Sequence, residues 1–206
     1  MHARTTTVRG DPGAIDDGTT FLRDRVMPAV EGLPGYVGLS MLADRDTGRC
    51  IATTSWADEA AMTTSGEQVR ALRARFAEIL GGPLELQTWE IAVVHRLHKA
   101  PDGACTRVTW TRTDPSRVEQ VLDAYRVSLL PRLEGLDGFC SASLLVDRRE
   151  GRAAESVTYA DRMTLERSRT DATAVREEFA AAMGSRILEV AEFDLVLAHL
   201  RVPETG

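Results

Sequence analysis

The sequence contains no asparagine, a single lysine (Lys99) and only three cysteines among its 206 residues. Cys50, Cys105 and Cys140 form no Cys-x-x-Cys pair and cannot all be bridged, which favours a reduced, cytoplasmic location. No apolar run approaches the roughly 20 residues of a membrane-spanning helix, so no membrane partner is expected. The net charge of −6 argues against nucleic acid as a partner, because binding phosphates requires an excess of basic residues.

The chain contains two copies of one sequence unit. The segment from Pro28 to Arg49 aligns with the segment from Pro131 to Arg152 at a constant offset of 103 residues. The same offset carries Trp56 onto Tyr159, and a one-residue insertion then carries His95 onto His199. A register kept over so long a stretch indicates an internal duplication.

Each copy has the pattern of strand, helix, strand, strand, helix, strand. This order is that of the ferredoxin-like unit, in which two helices cover one face of a four-stranded sheet. We predict an α+β fold with a first repeat over 1–97, a linker over 98–104 and a second repeat over 105–206. Because the fourth strands are apolar on both faces, the two repeats are expected to close one intrachain α/β barrel, a pseudo-dimer.

Short local signals recur in both copies. Pro28 and Pro131 stand late in the first helices and predict kinked last turns, because proline lacks a backbone N–H. The hairpins DRDTGR and DRREGR place a glycine where a tight turn requires positive φ. Asp58 and Asp161 are typical N-cap residues and predict the starts of the second helices.

The first copy carries a motif with a family resemblance. Pro34-Gly35-Tyr36, followed by a strand that ends in SWADEAAM (Ser55 to Met62), resembles the antibiotic-biosynthesis monooxygenase branch of the dimeric α/β-barrel superfamily. The resemblance implies a small-molecule pocket between each sheet and its helices, or in the barrel lumen. It also implies a cofactor-independent monooxygenase acting on an aromatic or quinol-like substrate. No cofactor or metal is expected, and the second helix lacks the histidine that binds haem in the family.

Two aromatic residues are candidate site residues. Trp56 matches the family's tryptophan at the end of the third strand, which borders the substrate pocket, so the resemblance implies a catalytic role for it. Tyr159 occupies the same place in the second copy and is predicted to bind substrate. The alternative is that these large side chains only fill the barrel end. The asparagine that holds the substrate oxygen in the family has no counterpart in this sequence.

Two histidines at matching positions are further candidates. Histidine is well suited to act as a general base near neutral pH, so His95 is predicted to be catalytic and His199 to bind substrate. Both share a strand face with large apolar residues, which is also typical of a structural histidine whose hydrogen bonds are satisfied.

Two carboxylates and a serine complete the candidate site. Glu90 is predicted to be catalytic and Asp194 to bind substrate, because small neighbours leave room for a ligand and burial would raise a carboxyl pKa. Ser40 is predicted to line the same cavity. The alternative is that both carboxylates form ion pairs with arginines across the sheet.

Three function classes therefore stay open. They are a cofactor-independent monooxygenase, a non-catalytic binder of a small molecule, and a structural or assembly module. The expected partners are a small-molecule ligand and, in a homodimer, a second copy of the chain. Because the two pockets of a duplicated chain can diverge in sequence, the larger pocket is predicted in the first half, lined by Trp56. Trp110 is predicted to fill the corresponding space in the second half.

Overall fold

A computed structural model describes residues 1–200 and 203–204, apart from the side chain of residue 200. The chain divides into two compact units, the first comprising the described residues 1–89 and 193–200, and the second comprising residues 90–192 and 203–204. These units differ from the predicted repeats, 1–97 and 105–206, because the units are defined by packing and the repeats by sequence similarity. The repeat boundaries therefore stay a prediction.

The first copy of the repeat contains four strands and two interrupted helices. Its elements are β1 (His2–Arg9), α1 (Ile15–Phe21), a π turn (Leu22–Val26), α2 (Met27–Glu31), β2 (Tyr36–Asp44), β3 (Arg49–Trp56), α3 (Glu59–Gln68), α4 (Arg70–Leu80) and β4 (Leu84–Arg96).

The second copy repeats this order. Its elements are β5 (Cys105–Arg112), α5 (Val118–Ala124), a π turn (Tyr125–Leu129), α6 (Leu130–Glu134), β6 (Phe139–Asp147), β7 (Arg152–Tyr159), α7 (Arg162–Arg167), α8 (Arg169–Met183) and β8 (Arg186–Leu200).

The hydrogen-bonded strand order is β1-β3-β2-β8-β5-β7-β6-β4, and it closes into one barrel. Helices lie between the strand pairs along the chain, so the predicted α+β class with two ferredoxin-like repeats closing one barrel is confirmed. Strands β4 and β8 each begin in one unit and end in the other. In the second unit His95 on β4 pairs with Ala142 on β6, and in the first unit Ala198 on β8 pairs with Ser40 on β2.

Each first helix is interrupted by a π turn directly before its proline. The N–H of Met27 donates to the carbonyl of Leu22, and the N–H of Leu130 donates to the carbonyl of Tyr125, in both cases five residues back. The next residue is a proline, which offers no N–H and therefore disrupts the regular helical ladder. The predicted irregularity of these helices thus takes the form of a wider turn.

The hairpin glycines are required by a close backbone approach. Gly48 and Gly151 have φ of 70° and 62°, as their hairpin positions predict. A Cβ on Gly48 would lie 2.1 Å from the carbonyl oxygen of Gly10, and one on Gly151 would lie 2.1 Å from that of Thr113. These contacts hold the end of the first strand of each repeat against its hairpin.

The predicted N-caps are also present. The Asp58 carboxylate accepts a hydrogen bond from the N–H of Ala61 at 2.8 Å, at the start of α3. The Asp161 carboxylate accepts one from the N–H of Thr164 at 2.7 Å. Thr164 returns the contact to the backbone N–H of Asp161, which completes a capping box at α7.

Each unit has its own apolar core between sheet and helices. In the first unit the buried residues include Ile15, Leu39, Met41, Phe76 and Leu80. In the second unit they include Val118, Leu122, Leu144, Val157 and Leu165. Burying one such side chain is worth about 1.5–3 kcal/mol. Charged side chains on the same faces therefore require specific partners or a ligand.

Candidate functional site

In the first unit, Arg4 on β1 reaches helix α3. Its Nη1 donates to Ser65 Oγ at 3.2 Å, and its Nη2 donates to the carbonyl of Met62. The Arg4 carbonyl accepts a hydrogen bond from Thr54 on β3, and Thr54 Oγ1 in turn accepts one from Trp56 Nε1 at 3.2 Å. The guanidinium thereby ties the first strand to the second helix.

In the second unit, Arg107 makes the corresponding contacts. Its Nη2 donates to the Leu165 carbonyl at 2.8 Å, and its Nη1 donates to Ser168 Oγ at 3.3 Å. The guanidinium also donates to the Tyr159 hydroxyl at 3.1 Å and to Glu192 Oε1 at 2.9 Å. The Arg107 side chain is only 4% exposed, so this ion pair with Glu192 is largely shielded from solvent.

Trp56 and Tyr159 both lie fully buried at the ends of their strands. The Trp56 ring meets Tyr36 edge to face, with ring centroids 5.9 Å apart. The Tyr159 ring lies under the Arg107 guanidinium, 5.3 Å from its centroid. Neither aromatic residue is among those that line the two cavities described below, so their functional roles stay predictions.

The two candidate histidines contact carboxylates on helices. His95 Nε2 lies 2.9 Å from Glu134 Oε1 in the second unit. His199 Nε2 lies 3.3 Å from Glu31 Oε1 in the first unit. The His95 ring also stacks on Phe139 at 6.3 Å. The Nε2 atoms of both histidines are buried and lie close to these carboxylates without the geometry of a hydrogen bond. The predicted catalytic and binding roles, and the structural alternative, therefore stay predictions.

The candidate carboxylates form ion pairs. Glu90 Oε1 accepts a hydrogen bond from Arg148 Nη2 at 2.9 Å. Asp194 Oδ2 lies 3.6 Å from Arg45 Nε. Ser40 is half-buried on β2. Ser40, Trp56, Asp194 and His199 belong to the first unit, whereas Glu90, His95 and Tyr159 belong to the second.

Each unit has a cavity between its sheet and its helices that is partly open to the surface. The first unit has a cavity of about 30 Å³, lined by Arg4, Thr6, Leu22, Val26, Val30, Leu39, Ala52, Thr54, Val69, Leu72, Arg73 and Phe76. The second unit has one of about 60 Å³, whose lining includes Thr109, Val118, Leu122, Tyr125, Leu144, Glu155, Arg176 and Phe179. The prediction that the larger pocket lies in the first half, lined by Trp56, is therefore wrong.

The position of Trp110 explains part of that error. Thr109 and Thr111 on β5 line the larger cavity. Successive side chains of a strand point to opposite faces, so Trp110 points away from that cavity and does not fill it. The alternation of side chains along β5 does not show which face of the strand the helices cover. The sequence therefore did not show on which face Trp110 lies.

A buried acid lies in the wall of the larger cavity. Burial raises the pKa of Glu155 to about 7, although contact with Tyr125 and the charge of Arg176 lower it. Burial, and then the nearby Glu155, raises the pKa of Tyr125 well above its usual value. Burial, and then the charge of Arg107, lowers the pKa of Arg176. A carboxyl group that titrates near neutral pH can take or give a proton under ordinary conditions.

Buried polar side-chain atoms line this cavity. The buried Glu155 carboxyl and the buried Tyr125 hydroxyl hydrogen-bond to each other. Among the described residues, Arg176 Nε is also buried and has no hydrogen-bond partner. Buried polar atoms usually have a partner, so an unpaired guanidinium nitrogen beside a buried carboxyl and a buried hydroxyl indicates a site for a polar group.

Glu155 was not a predicted site residue, although the sequence contains a signal for it. On β7 Glu155 alternates with Ala153 and Val157, both of which face the helices. The corresponding residue of the first copy is Ala52. A lone carboxylate on the apolar face of a strand is the pattern that identifies it.

Two other kinds of feature are absent from the described part of the chain. Among those residues no group of three or more histidine, cysteine, aspartate or glutamate side chains could hold a metal ion. Within the same residues, no helix is long and apolar enough to cross a membrane.

The sequence is similar to two proteins of Mycobacterium tuberculosis. It is 47% identical to Rv2557 over 204 residues, which cover 99% of this chain and 91% of that protein. It is 44% identical to Rv2558 over 205 residues, which cover 99% and 87% of the two chains. Both relatives are described as uncharacterized. No family model matches the sequence.

Solved structures share the fold at low sequence identity. A candidate monooxygenase from Lactobacillus acidophilus has a TM-score of 0.70 at 9% identity, covering 97% of this chain and 96% of that one. An anthrone oxidase-like protein has a TM-score of 0.64 at 12% identity, covering 100% and 95%. A Listeria monocytogenes ferredoxin-fold protein related to antibiotic biosynthesis monooxygenases has a TM-score of 0.54 at 9% identity, covering 95% and 94%. The fold is therefore that of the antibiotic-biosynthesis monooxygenase-like proteins, as the motif in the first copy predicts.

Proposed function

This chain belongs to the family of the Mycobacterium tuberculosis proteins Rv2557 and Rv2558, and we propose that it is a cofactor-independent monooxygenase whose active site is the cavity of the second unit. The proposed substrate is a small aromatic or quinol-like molecule with an acidic C–H or O–H group. The observation that carries the proposal is the buried Glu155 carboxyl in an otherwise mostly apolar cavity.

Glu155 is the proposed general base. With a pKa near 7, it is ionised in part of the population at neutral pH and can accept a proton from a bound substrate. Tyr125 and Arg176 line the same cavity and offer hydrogen-bond donors to the substrate oxygen. Arg176 is also positively charged, so it stabilises the anion that forms when the proton leaves.

The chemistry balances without a cofactor. Removing a proton from an activated CH₂ group leaves a carbanion, which is electron-rich enough to reduce dioxygen. One oxygen atom then becomes the new carbonyl group and the other leaves as water together with the two substrate hydrogens. The protein contributes the base, the orientation of the substrate and apolar walls such as Leu122 and Phe179, which exclude water.

Similar proteins support this reaction class in general terms. One structural neighbour is described as an anthrone oxidase-like protein, and anthrone is an aromatic molecule with such a CH₂ group. The predicted roles of Trp56, His95 and Glu90 in catalysis, and the predicted homodimer and cytoplasmic location, stay predictions.

Oxygen uptake by the full chain tests the proposal, with anthrone and a hydroquinone as probes. The rate above the uncatalysed reaction is expected to rise with pH through about 7, because Glu155 must lose its proton to act as a base. Glu155→Gln is expected to lower the rate about 100-fold or more. Glu178→Gln serves as a matched control, since Glu178 is exposed, is paired with Arg132 and lies outside the cavity lining.

Unchanged turnover in Glu155→Gln would overturn the assignment of the base. Saturable binding of the probes with no oxygen uptake in any variant would favour the second candidate function, a non-catalytic binder of small molecules. That alternative is supported by the first unit, whose cavity wall contains no acidic residue within the part of the chain that the structure describes.

A further inference from the structure

A matching pair of arginines lies near carboxylates of the second unit but has no such carboxylates at the matching positions of the first. Arg107 and Arg176 of the second unit are accompanied by carboxylates, because Arg107 is paired with Glu192 and Arg176 lies near Glu155. The alignment matches these arginines to Arg4 and Arg73 in the first unit. The positions that match the two carboxylates hold Ala52 and Thr88, so the first copy lacks both acids.

Arg4 and Arg73 line the same cavity of the first unit. Arg4 is only 7% exposed, and burial followed by the charge of Arg73 lowers its pKa. Within the described chain, Arg73 Nη1 is buried and has no hydrogen-bond partner, whereas its Nη2 donates to the Gly66 carbonyl at 3.0 Å. Two positive charges on an apolar cavity are costly unless an anion accompanies them.

The acidic side chain whose charge acts on Arg73, Glu67, does not provide this anion. Glu67 raises the pKa of Arg73 by its charge, but its own side chain is 79% exposed. It lies 3.3 Å from Arg70 on the outer surface of the helix region. No acidic residue among those that the structure describes lines the cavity itself.

We propose that the cavity of the first unit is an anion site that binds the carboxylate of a small monocarboxylic acid between Arg4 and Arg73. A guanidinium matches the planar geometry of a carboxylate better than that of a spherical ion. The cavity of about 30 Å³ has room for about two water-sized groups, which suits the two oxygens of a carboxylate, and it is partly open to the surface, so that the rest of a small acid can extend towards solvent. Val30, Leu39 and Phe76 offer an apolar wall to a short hydrocarbon tail.

The ligand's carboxylate would take the place that a protein carboxylate takes in the second unit. Thr6 also lines the cavity and adds a hydroxyl donor. This site is separate from the proposed active site, because all of its lining residues belong to the first unit. Its test is therefore independent of the oxygen-uptake experiment.

Calorimetric titration of the full chain with sodium propionate tests the proposal, with sodium chloride as the spherical anion at the same ionic strength. Wild type is expected to bind propionate saturably and chloride more weakly. Arg73→Gln is expected to weaken propionate binding about 10- to 100-fold, because a charge-assisted contact is lost. Arg75→Gln is the matched control on the same helix, since Arg75 is exposed and paired with Glu78.

A second variant introduces an acid of the second copy at the matching position of the first copy. Ala52→Glu introduces the second unit's carboxylate into the first cavity and is expected to abolish propionate binding. If this variant fails to fold, Arg73→Gln and its control still decide the question. Absence of propionate binding by wild type, equal binding by wild type and Arg73→Gln, or equal affinity for chloride and propionate would each overturn the proposal.

Discussion

The two units share one scaffold and differ in the acids that they bury. Glu155 and Glu192 stand in the second unit where the first copy has Ala52 and Thr88. The strand order, the π turn and the hairpin glycine are the same in both copies. The difference teaches that a duplicated fold tolerates a change of interior chemistry as long as the apolar contacts between helices and sheet are kept.

The arginine on the first strand shows the difference most directly. In the first unit Arg4 binds only hydroxyl and carbonyl oxygens of helix α3, among the residues that the structure describes. In the second unit Arg107 makes the same helix contacts and adds an ion pair with Glu192. Glu192 also accepts a hydrogen bond from Arg169 at 2.8 Å. The matching arginines thus form only helix hydrogen bonds in the first unit, and both helix hydrogen bonds and ion pairs in the second.

Arg107→Ala is expected to have the largest effect on stability. It removes the helix contacts and leaves Glu192 with one ionic partner fewer, so the free energy of unfolding should fall by about 3–5 kcal/mol. Arg4→Ala removes hydrogen bonds but no ion pair, and the expected loss is about 1–3 kcal/mol. Urea unfolding monitored by circular dichroism measures both. Equal losses of unfolding free energy in the two variants would show that the ion pair with Glu192 adds no stability to the helix contacts.

Glu155→Gln is expected to change how stability depends on pH. The pKa of Glu155 is raised to about 7 in the folded chain, so folding favours the protonated carboxyl. Its contribution is complete below the unfolded pKa and is lost as pH rises towards about 7, a change of about 3 kcal/mol. The variant should therefore gain stability relative to wild type between about pH 4.5 and 7.

Unfolding titrations across that pH range measure the difference. Ala52→Gln is the matched control in the first unit, since it introduces the same amide at the equivalent position and removes no titrating group. A constant difference between wild type and Glu155→Gln at all pH values would contradict the raised pKa of Glu155.

The helix caps give the smallest expected difference. Asp58→Ala and Asp161→Ala each remove an N-cap and should cost about 1 kcal/mol. Asp161 also takes part in a reciprocal contact with Thr164, whereas Asp58 has only the single cap bond to Ala61 among the described residues. The Asp161 variant should therefore lose slightly more stability in the same urea experiment. A larger loss for Asp58→Ala would reverse this ranking.

Much of the fold was predictable because its signals are local and occur twice. Gly48 and Gly151 stand in hairpins, Asp58 begins a helix, and a proline follows each π turn, so each of these features depends on a few neighbouring residues. The duplication then supplied the order of strands and helices in both copies. The family motif at Ser55 to Met62 indicated the right class of fold.

The candidate site was harder to predict because it depends on partners that are distant along the chain. The pairing of Glu90 with Arg148 and the contact of His95 with Glu134 join different elements. The acid that lines a cavity, Glu155, carried only the weak signal of a charge on an apolar strand face.

The sequence by itself determined the repeat, the element order, the turns and the caps, because short-range sterics and hydrogen bonding decide them. Only the tertiary structure decided which cavity is larger, which face Trp110 occupies and which carboxyl titrates near neutral pH. Those properties depend on which helix covers each strand face and how completely water is excluded there. The same glutamate at position 155 would have an ordinary pKa if α8 did not cover it, because burial is what disfavours its charged form.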